Sequence, residues 1–394
     1  MNKIAIIGGG PAGLICAISA KKQNPNLDIT IFEKNDIAST ILPTGGGRCN
    51  LSYNEIDIKI FAQNYPRGEK FLYSVFNRFF IEETLDFFKS IGIETYTQKD
   101  KRIFPKTDKS LDVIFALKNE IKRLNIKVAN ENVKDFSYQE NAFYINKIKF
   151  QKLIIATGGR KNSLIESIKK LNIDFLEQKQ ALGGLEIEEK EFAQISGVSL
   201  KNINATAIFN KIKINLKEDL LFTHKGISGP LAYKISSLFS RENYQKENPI
   251  ILKIQFTKIE NLNLQNQLNS NPQKEILNLI TDFCPKSLAK LLLEKNNIPT
   301  NKKCHQINKE ERKKIEIFLT NLELKILSPI KEGEIVYSGG VNLNEINPQT
   351  METKKISGLY FCGEILNIDG FCGGFNLQNC WSTGYIAGTS VAEQ

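Results

Sequence analysis

The chain begins with the stretch Lys3-Ile4-Ala5-Ile6-Ile7-Gly8-Gly9-Gly10-Pro11-Ala12-Gly13. Its first five residues form a short apolar run typical of a buried parallel strand, and residues 12–22 have the pattern of a helix. Gly8, Gly10 and Gly13 lie where they allow a tight turn, approach of a pyrophosphate and close helix–strand packing. The stretch therefore predicts a dinucleotide-binding unit; the alternative is an ordinary strand–helix turn with spare glycines.

Two further features follow in the first fifty residues. Residues 28–33 form a second strand pattern that ends in Glu33, twenty residues after Gly13, where an acid accepts hydrogen bonds from an adenosine ribose. Residues 44–50 (Thr-Gly-Gly-Gly-Arg-Cys-Asn) then place a cation and an amide beside three glycines. Arg48 and Asn50 can donate hydrogen bonds to phosphate or flavin carbonyl oxygens. The alternative is that residues 44–50 form a flexible surface loop. For Cys49 we favour a small buried cysteine over a reactive one.

The C-terminal segment complements this unit. Residues 358–364 form an apolar strand pattern that ends in Gly363-Glu364, and a helix is predicted over residues 376–392. Glu364 can accept hydrogen bonds from ribityl hydroxyls. The N–H groups at the start of the helix can stabilise the negative charge that builds on a flavin upon reduction. Trp381, on this helix, is expected in the core rather than stacked on a cofactor. We therefore expect both chain ends to hold one flavin.

The segments between the two chain ends give weaker indications of structure and function. Residues 152–159 form a strand pattern that enters a glycine turn, which either faces the cofactor crevice or is only the last turn of a structural strand. Residues 126–128, 132–137 and 142–144 alternate like a small sheet, and residues 274–295 form a helical block.

The domain organisation follows from a change of pattern after residue 190. Residues 1–190 and 335–394 are predicted to form an FAD-binding domain, and residues 191–334 an inserted substrate-side region. The insert is expected to be β-rich over residues 191–256 and 318–334 and helical over residues 257–317. Within it His224 lies in a loop before a helix, where it either protonates a substrate near neutral pH or anchors the loop by hydrogen bonds.

Composition excludes several classes of protein. The 394 residues, 41% of them hydrophobic, suffice for two or three globular lobes. The net charge of +10 is spread as scattered lysine pairs without interleaved aromatic residues, which argues against a nucleic-acid partner. The seven cysteines include no Cys-x-x-Cys pair, so no metal site is expected and a reduced, cytoplasmic setting fits best. No stretch is long enough to span a bilayer.

Together the motifs resemble the HI0933-like, or YhiN-like, flavoproteins, also described as aminoacetone oxidase-like. The resemblance covers most of the chain. It rests on residues 8–13, 44–50, 104–106, 156–159, 222–224, 226, 228–230, 338–341, 350–352, 373–374 and 376–378. It implies an α/β fold in which an FAD-binding, Rossmann-like doubly wound sheet carries an inserted β-rich lobe and a small helical lobe. One departure is visible, because residues 160–163 lead quickly to a helix where the family has a longer loop.

The hypothesis is an FAD-dependent oxidoreductase that exchanges a hydride between the flavin and a small organic substrate, with NADH or NADPH as a candidate electron donor. His224 is the candidate proton donor. The alternatives are a flavoprotein of tRNA modification and a non-catalytic flavin-bound interaction module. The predicted cofactor-binding residues are Gly8, Gly10, Ala12, Gly13, Glu33, Lys34, Gly47, Arg48, Asn50, Val133, Thr157, Gly158, Gly363, Glu364, Asp369, Gly374, Phe375, Asn376 and Leu377.

Overall fold

Strand β1 (Lys3–Ile7) lies at the centre of a five-stranded parallel sheet. The other strands of this sheet are β2 (Asp28–Glu33), β6 (Lys127–Asn130), β10 (Lys152–Ile155) and β19 (Leu359–Phe361). They lie in the order β19-β10-β1-β2-β6. The apolar run from Ile4 to Ile7 is buried because parallel strands carry helices over their faces. This computed structural model describes residues 3–159, 163–258, 262–331 and 336–393.

The two ends of the chain meet in this unit. Helix α1 (Pro11–Gln23) follows β1, and the last helix, α13 (Phe375–Glu393), packs along it. An added Cβ at Gly384 would lie 2.4 Å from the Ala12 carbonyl oxygen, and one at Gly388 would lie 2.3 Å from that of Cys16. The two glycines are one turn apart on the same face of α13. The helices therefore approach more closely than any side chain between them would permit.

The first compact unit comprises residues 3–159, 163–181 and 336–393 among those described. Its other strands form a sheet of β3 (Ser52–Tyr53), β4 (Thr95–Thr97) and β5 (Arg102–Pro105), a sheet of β7 (Ser137–Gln139), β8 (Ala142–Ile145) and β9 (Ile148–Phe150), and a pair of β11 (Phe175–Ala181) and β18 (Val336–Val341). Its other helices are α2 (Thr44–Gly47), α3 (Ile58–Ala62), α4 (Glu69–Phe76), α5 (Ile81–Ser90), α6 (Ser110–Arg123) and α7 (Ile165–Lys170).

The second compact unit covers the described residues from 182 to 331 and is built on a closed barrel. The barrel strands are β12 (Leu185–Ile187), β13 (Ser199–Phe209), β14 (Ile212–Thr223), β15 (Gly226–Ser228), β16 (Ile250–Gln255) and β17 (Leu322–Pro329). They run in the order β12-β15-β14-β13-β16-β17. The helices of this unit are α8 (Gly229–Leu238), α9 (Leu264–Ser270), α10 (Ile276–Ile280), α11 (Lys286–Lys295) and α12 (Lys309–Thr320). The unit has its own apolar core, which includes Phe222, Ile254 and Leu288.

Two local expectations were wrong. Residues 126–128 do not join a small sheet, because β6 pairs in parallel with β2 at the edge of the main sheet. Residues 131–136 form no strand, so only β7 to β9 make the small sheet. The helical block predicted over residues 274–295 is present as two helices, α10 and α11, and Pro285, which has no N–H, begins α11 as its N-cap.

The compact units and the predicted domains begin and end at different residues. The contact-based division falls between Ala181 and Leu182, earlier than the predicted boundary at residue 191, because β12 pairs with β15 and β17 of the barrel. The predicted functional split into an FAD-binding domain and a substrate-side insert stays a prediction. Residues 160–162, which carry the departure from the family pattern, and residues 332–335 lie outside the described residues. None of the described helices has the length and apolarity needed to cross a bilayer.

The contact between α1 and α13 can be tested with Gly388→Ala. A new methyl group would press against the Cys16 carbonyl, so we expect the free energy of unfolding to fall by about 1–3 kcal/mol. Helix propensity alone would raise it by about 1 kcal/mol. Urea denaturation measures the difference. Glu393→Ala, at an exposed position of the same helix, is the control and should change stability by less than about 0.5 kcal/mol. A Gly388→Ala protein as stable as the parent would contradict the close contact.

Candidate cofactor site

The candidate site lies along the carboxyl edge of the parallel sheet. Parallel strands end at the same edge, so the residues after β1, β2, β10 and β19 are brought together there. Backbone hydrogen bonds continue past the strand ends, with Ala156 N–H donating to Ile7 O at 2.8 Å and Cys362 N–H to Ile155 O at 3.2 Å. The predicted residues Gly8, Glu33, Thr157–Gly158 and Gly363–Glu364 all lie on this edge.

The glycine turn opens onto this edge. Gly8 N–H donates to Phe32 O at 2.9 Å, and an added Cβ at Gly13 would lie only 1.9 Å from Gly8 O. Gly13 is therefore required by the fold itself. At Gly10, by contrast, an added Cβ would meet only Thr40 Oγ1, at 3.5 Å. The open space beside Gly10 adjoins the first turn of α1, including Ala12, where N–H groups lack intrahelical partners and favour an anion.

Glu33 is held in place by backbone donors. Its Oε2 accepts from Gly9 N–H at 2.7 Å and its Oε1 from Asn35 N–H at 2.9 Å. Each carboxylate oxygen retains further acceptor capacity, which suits a ribose hydroxyl. Lys34 is exposed beside it. Val133 is buried in the segment after β6, and its carbonyl accepts from Ser163 Oγ at 3.0 Å.

The glycine-rich segment over residues 44–50 is partly exposed and partly buried. Gly46 and Gly47 are exposed, and an added Cβ at either would meet no atom within 4 Å. The Arg48 guanidinium lies 4.1 Å from the centre of the Phe104 ring and 3.9 Å from Asp108 Oδ1, so this cation is positioned rather than free. Cys49 is buried, and its burial raises the thiol pKa to about 12. The prediction of a small buried cysteine at position 49 is confirmed.

The start of α13 lies against residues 50–52. An added Cβ at Gly374 would lie 2.6 Å from Ser52 O and 2.9 Å from Asn50 Oδ1. Asn50 is only 7% exposed, and its Oδ1 has no hydrogen-bond partner among the described residues. The first N–H groups of α13, which include those of Phe375 and Leu377, have no partners within the helix. Within the described part of the chain, an acceptor without a partner therefore lies beside several N–H groups that have no partner in their helix.

Some of the buried polar side chains near the start of α13 have hydrogen-bond partners among the described residues, and others do not. Gln378 Oε1 accepts from Ser52 Oγ at 2.7 Å, and its Nε2 donates to Thr84 Oγ1 at 2.8 Å and Ser382 Oγ at 2.9 Å. Asn379 is fully buried, yet both its amide atoms lack a hydrogen-bond partner among the described residues. Trp381 is buried as predicted and donates to Leu51 O at 3.0 Å. Sequence reasoning missed Asn379, because a helical asparagine carries no local sign of burial.

The side chains of two further predicted residues, Asp369 and Asn376, also have protein partners. Asp369 is buried, and its carboxylate is bound by the guanidinium of Arg67, which sequence reasoning did not single out. The Asn376 amide donates to Gly370 O at 2.9 Å and accepts from Gly370 N–H at 2.7 Å. Both side chains therefore shape the loop before α13. Their contact with a cofactor stays a prediction.

The remaining predicted residues also lie at the carboxyl edge of the parallel sheet. Gly363 N–H donates to Thr383 Oγ1 of α13 at 2.9 Å, and an added Cβ there would lie 2.7 Å from the Ala12 side chain. Glu364 is half-buried in the following turn. Thr157 and Gly158 are half-buried, and the space beside Gly158 is open.

His224 belongs to the second compact unit. It is exposed at the turn between β14 and β15 of the barrel unit. Its role as a proton donor stays a prediction, as does the alternative of a loop anchor.

These residues fit FAD chemically. The region offers helix N-termini for an anion, a fixed carboxylate for a ribose and open space beside Gly10. It also offers Asn50 Oδ1, which has no partner among the residues that the structure describes, beside the N–H groups that begin α13. The residues that would hold the cofactor come from both ends of the chain. The residues that were predicted from the two ends of the sequence therefore lie along one edge of the same sheet.

Gly10→Val tests this assignment. The new side chain would project into open space, so the fold should persist while FAD affinity falls by about a hundredfold or more. Absorption near 450 nm after dialysis, and titration of the apoprotein with FAD, measure binding. Gly13→Val is the matched control for a structural glycine and should lower the free energy of unfolding of the apoprotein. Retention of FAD by folded Gly10→Val would place the pyrophosphate elsewhere.

Two known proteins are similar in sequence to this chain over nearly their whole length. Over 413 aligned residues, and with all of both chains covered, the chain is 27% identical to the 3-dehydro-bile acid delta(4,6)-reductase of Clostridium scindens. It is also 27% identical over 414 residues to the ribosomal RNA dihydrouridine synthase of Haemophilus influenzae, with 99% of this chain and 98% of that protein covered. Both matches therefore include the barrel unit.

A solved structure shares the fold. The 3-ketosteroid delta1-dehydrogenase from Sterolibacterium denitrificans superposes with a TM-score of 0.50 at 10% identity, with 100% of both chains covered. The family model described as the HI0933-like protein Rossmann domain matches residues 2–390. The chain therefore belongs to the HI0933-like family of FAD-dependent oxidoreductases.

Proposed function

We propose that this protein is an FAD-dependent reductase that adds hydrogen across a carbon–carbon double bond conjugated to a carbonyl group. The names of the two relatives support this reaction class. A 3-dehydro steroid with double bonds at positions 4 and 6 is a conjugated ketone, and the double bond reduced in forming dihydrouridine is also conjugated to a carbonyl. The preferred substrate is a small organic molecule of this kind.

One feature of the site carries the proposal. The first turn of α13 presents N–H groups beside Asn50 Oδ1, which has no hydrogen-bond partner among the described residues. A helix N-terminus stabilises negative charge, so donors here favour the reduced, anionic form of a flavin ring. A protein that stabilises reduced flavin is suited to accept electrons from a donor, which is the first half of the proposed reaction.

The predicted cofactor-binding residues have separate roles in the proposed enzyme. Gly10 and the start of α1 hold the pyrophosphate, Glu33 the adenosine ribose and Glu364 the ribityl chain. Bound FAD supplies the hydride chemistry itself. His224 is the candidate group that delivers a proton to the substrate carbon next to the carbonyl. NADH or NADPH is the candidate reductant, although the sequence contains no second complete strand–glycine–helix fingerprint for it. A cytoplasmic location stays a prediction.

A second candidate substrate is uridine in ribosomal RNA. It is favoured by the net charge of +10 and by a relative named for that reaction that matches 99% of this chain. The scattered placement of the lysines does not favour it. A polyanionic substrate would bind with an affinity that falls steeply with salt, which distinguishes it from a neutral ketone.

Anaerobic stopped-flow measurements test the reaction class. We expect NADH or NADPH to bleach the flavin, and an α,β-unsaturated ketone to restore its colour faster than a saturated ketone does. In parallel, ribosomal RNA from cells lacking the gene is incubated with the reduced enzyme and its dihydrouridine is measured by mass spectrometry. Reoxidation by neither substrate would refute the proposal and favour a non-catalytic flavin module or another oxidant.

His224→Gln tests the proposed proton donor. Flavin reduction should be unchanged, while substrate reduction slows by about a hundredfold, because general acids typically contribute that much or more. The other histidine, His305, is exposed and its Nδ1 lies 2.7 Å from Pro272 O. His305→Gln is therefore the matched control and should behave like the parent. Equal turnover in both variants would remove His224 from the mechanism.

A further inference from the structure

A short segment between α3 and α4 contacts the loop that leads into α13. We call residues 64–68 the bracing segment. Asn64 O accepts from Phe371 N–H at 2.9 Å, and Tyr65 OH donates to Phe375 O at 2.6 Å. Arg67 and Asp369 form an antiparallel backbone bridge. The bracing segment therefore contacts this loop at Asp369 and Phe371, and α13 at its first residue, Phe375.

The strongest of these contacts is the ion pair between Arg67 and Asp369. Two guanidinium nitrogens of Arg67, Nε and one Nη, bind the two carboxylate oxygens of Asp369. The carboxylate is fully buried, and the Arg67 side chain is only 16% exposed. Removing one partner of a buried pair leaves an uncompensated charge, which is strongly unfavourable. The bidentate geometry also fixes the orientation of the loop.

The shape of the loop depends on glycines and on one side-chain amide. Gly373 and Gly374 adopt φ values of +145° and +98°, which only glycine adopts readily. The Asn376 amide closes the loop through two hydrogen bonds to Gly370. The contacts from the bracing segment add to these and hold the first turn of α13 from outside the loop.

We propose that Arg67 is a positioning residue that sets the reduction potential of the bound flavin through the first turn of α13. The attraction between a helix N-terminus and a negative charge falls off within about one turn. A displacement of this turn would weaken the stabilisation of reduced flavin more than that of oxidised flavin, because only the reduced ring carries the charge.

The reduction potential of FAD-saturated Arg67→Met tests the proposal. We expect the preference for reduced over oxidised FAD to fall about tenfold, which moves the midpoint potential by about 30 mV to more negative values for a two-electron couple. Arg123→Met is the matched control, because Arg123 also binds a carboxylate through two nitrogens, that of Glu120 at 2.7 and 2.9 Å in the same unit. Its potential should equal that of the parent.

Two further variants cover the case in which Arg67→Met fails to fold. Tyr65→Phe removes only the hydrogen bond to Phe375 O and should shift the potential in the same direction by a smaller amount. Arg67→Met combined with Asp369→Asn removes both buried charges and should give the full shift. Potentials equal to the parent value in these two folded variants would overturn the proposal.

A second measurement follows the loop without using turnover. Of the seven cysteines, all of which lie in described segments, only Cys372 is exposed, and it lies in this loop. Its rate of alkylation by iodoacetamide should rise in Arg67→Met and stay unchanged in Arg123→Met. Neither measurement involves a substrate, so a failure of the proposed reaction class would leave this test intact.

Discussion

The close contact between the first and last helices is the constraint on which the rest of this structure depends. Gly384 and Gly388 bring the backbone of α13 against the carbonyl groups of Ala12 and Cys16. At this distance the C-terminal strand β19 completes the sheet that β1 begins, with β10 between them. Small residues on one helix face thus determine that segments separated by about the whole chain share one sheet edge.

The chemistry of that edge follows from where the strands and helices end. Parallel strands bring their carboxyl ends together, and helices that follow them begin there with unpaired N–H groups. The fixed carboxylate of Glu33 adds an acceptor at one side, and the start of α13 adds donors at the other. The sheet therefore offers complementary groups for the two halves of a dinucleotide.

Buried polar groups show which parts of this region are structural. The Gln378 amide is satisfied by Ser52, Thr84 and Ser382, and a fully satisfied network of this kind fixes the packing of α13. Asn50 Oδ1 and the Asn379 amide have no hydrogen-bond partner among the described residues. Native folds rarely leave such groups unpaired, so these two side chains near the start of α13 are candidates for contact with a bound group. The ion pair of Arg67 and Asp369 gives the buried Asp369 carboxylate a partner within the fold, while its predicted contact with a cofactor stays a prediction.

The sequence by itself determined the local units: the strand–turn–helix over residues 3–23, the acid at Glu33, the burial of Cys49 and Trp381, and the family with its FAD cofactor. These features depend on neighbours within a few residues, or on side-chain types with strong burial preferences. Only the tertiary structure decided that β6 joins the main sheet, that Arg67 takes the Asp369 carboxylate and that Asn379 is buried without a partner among the described residues. Each of these depends on a contact between residues far apart in the chain, for which neither periodicity nor composition carries a signal.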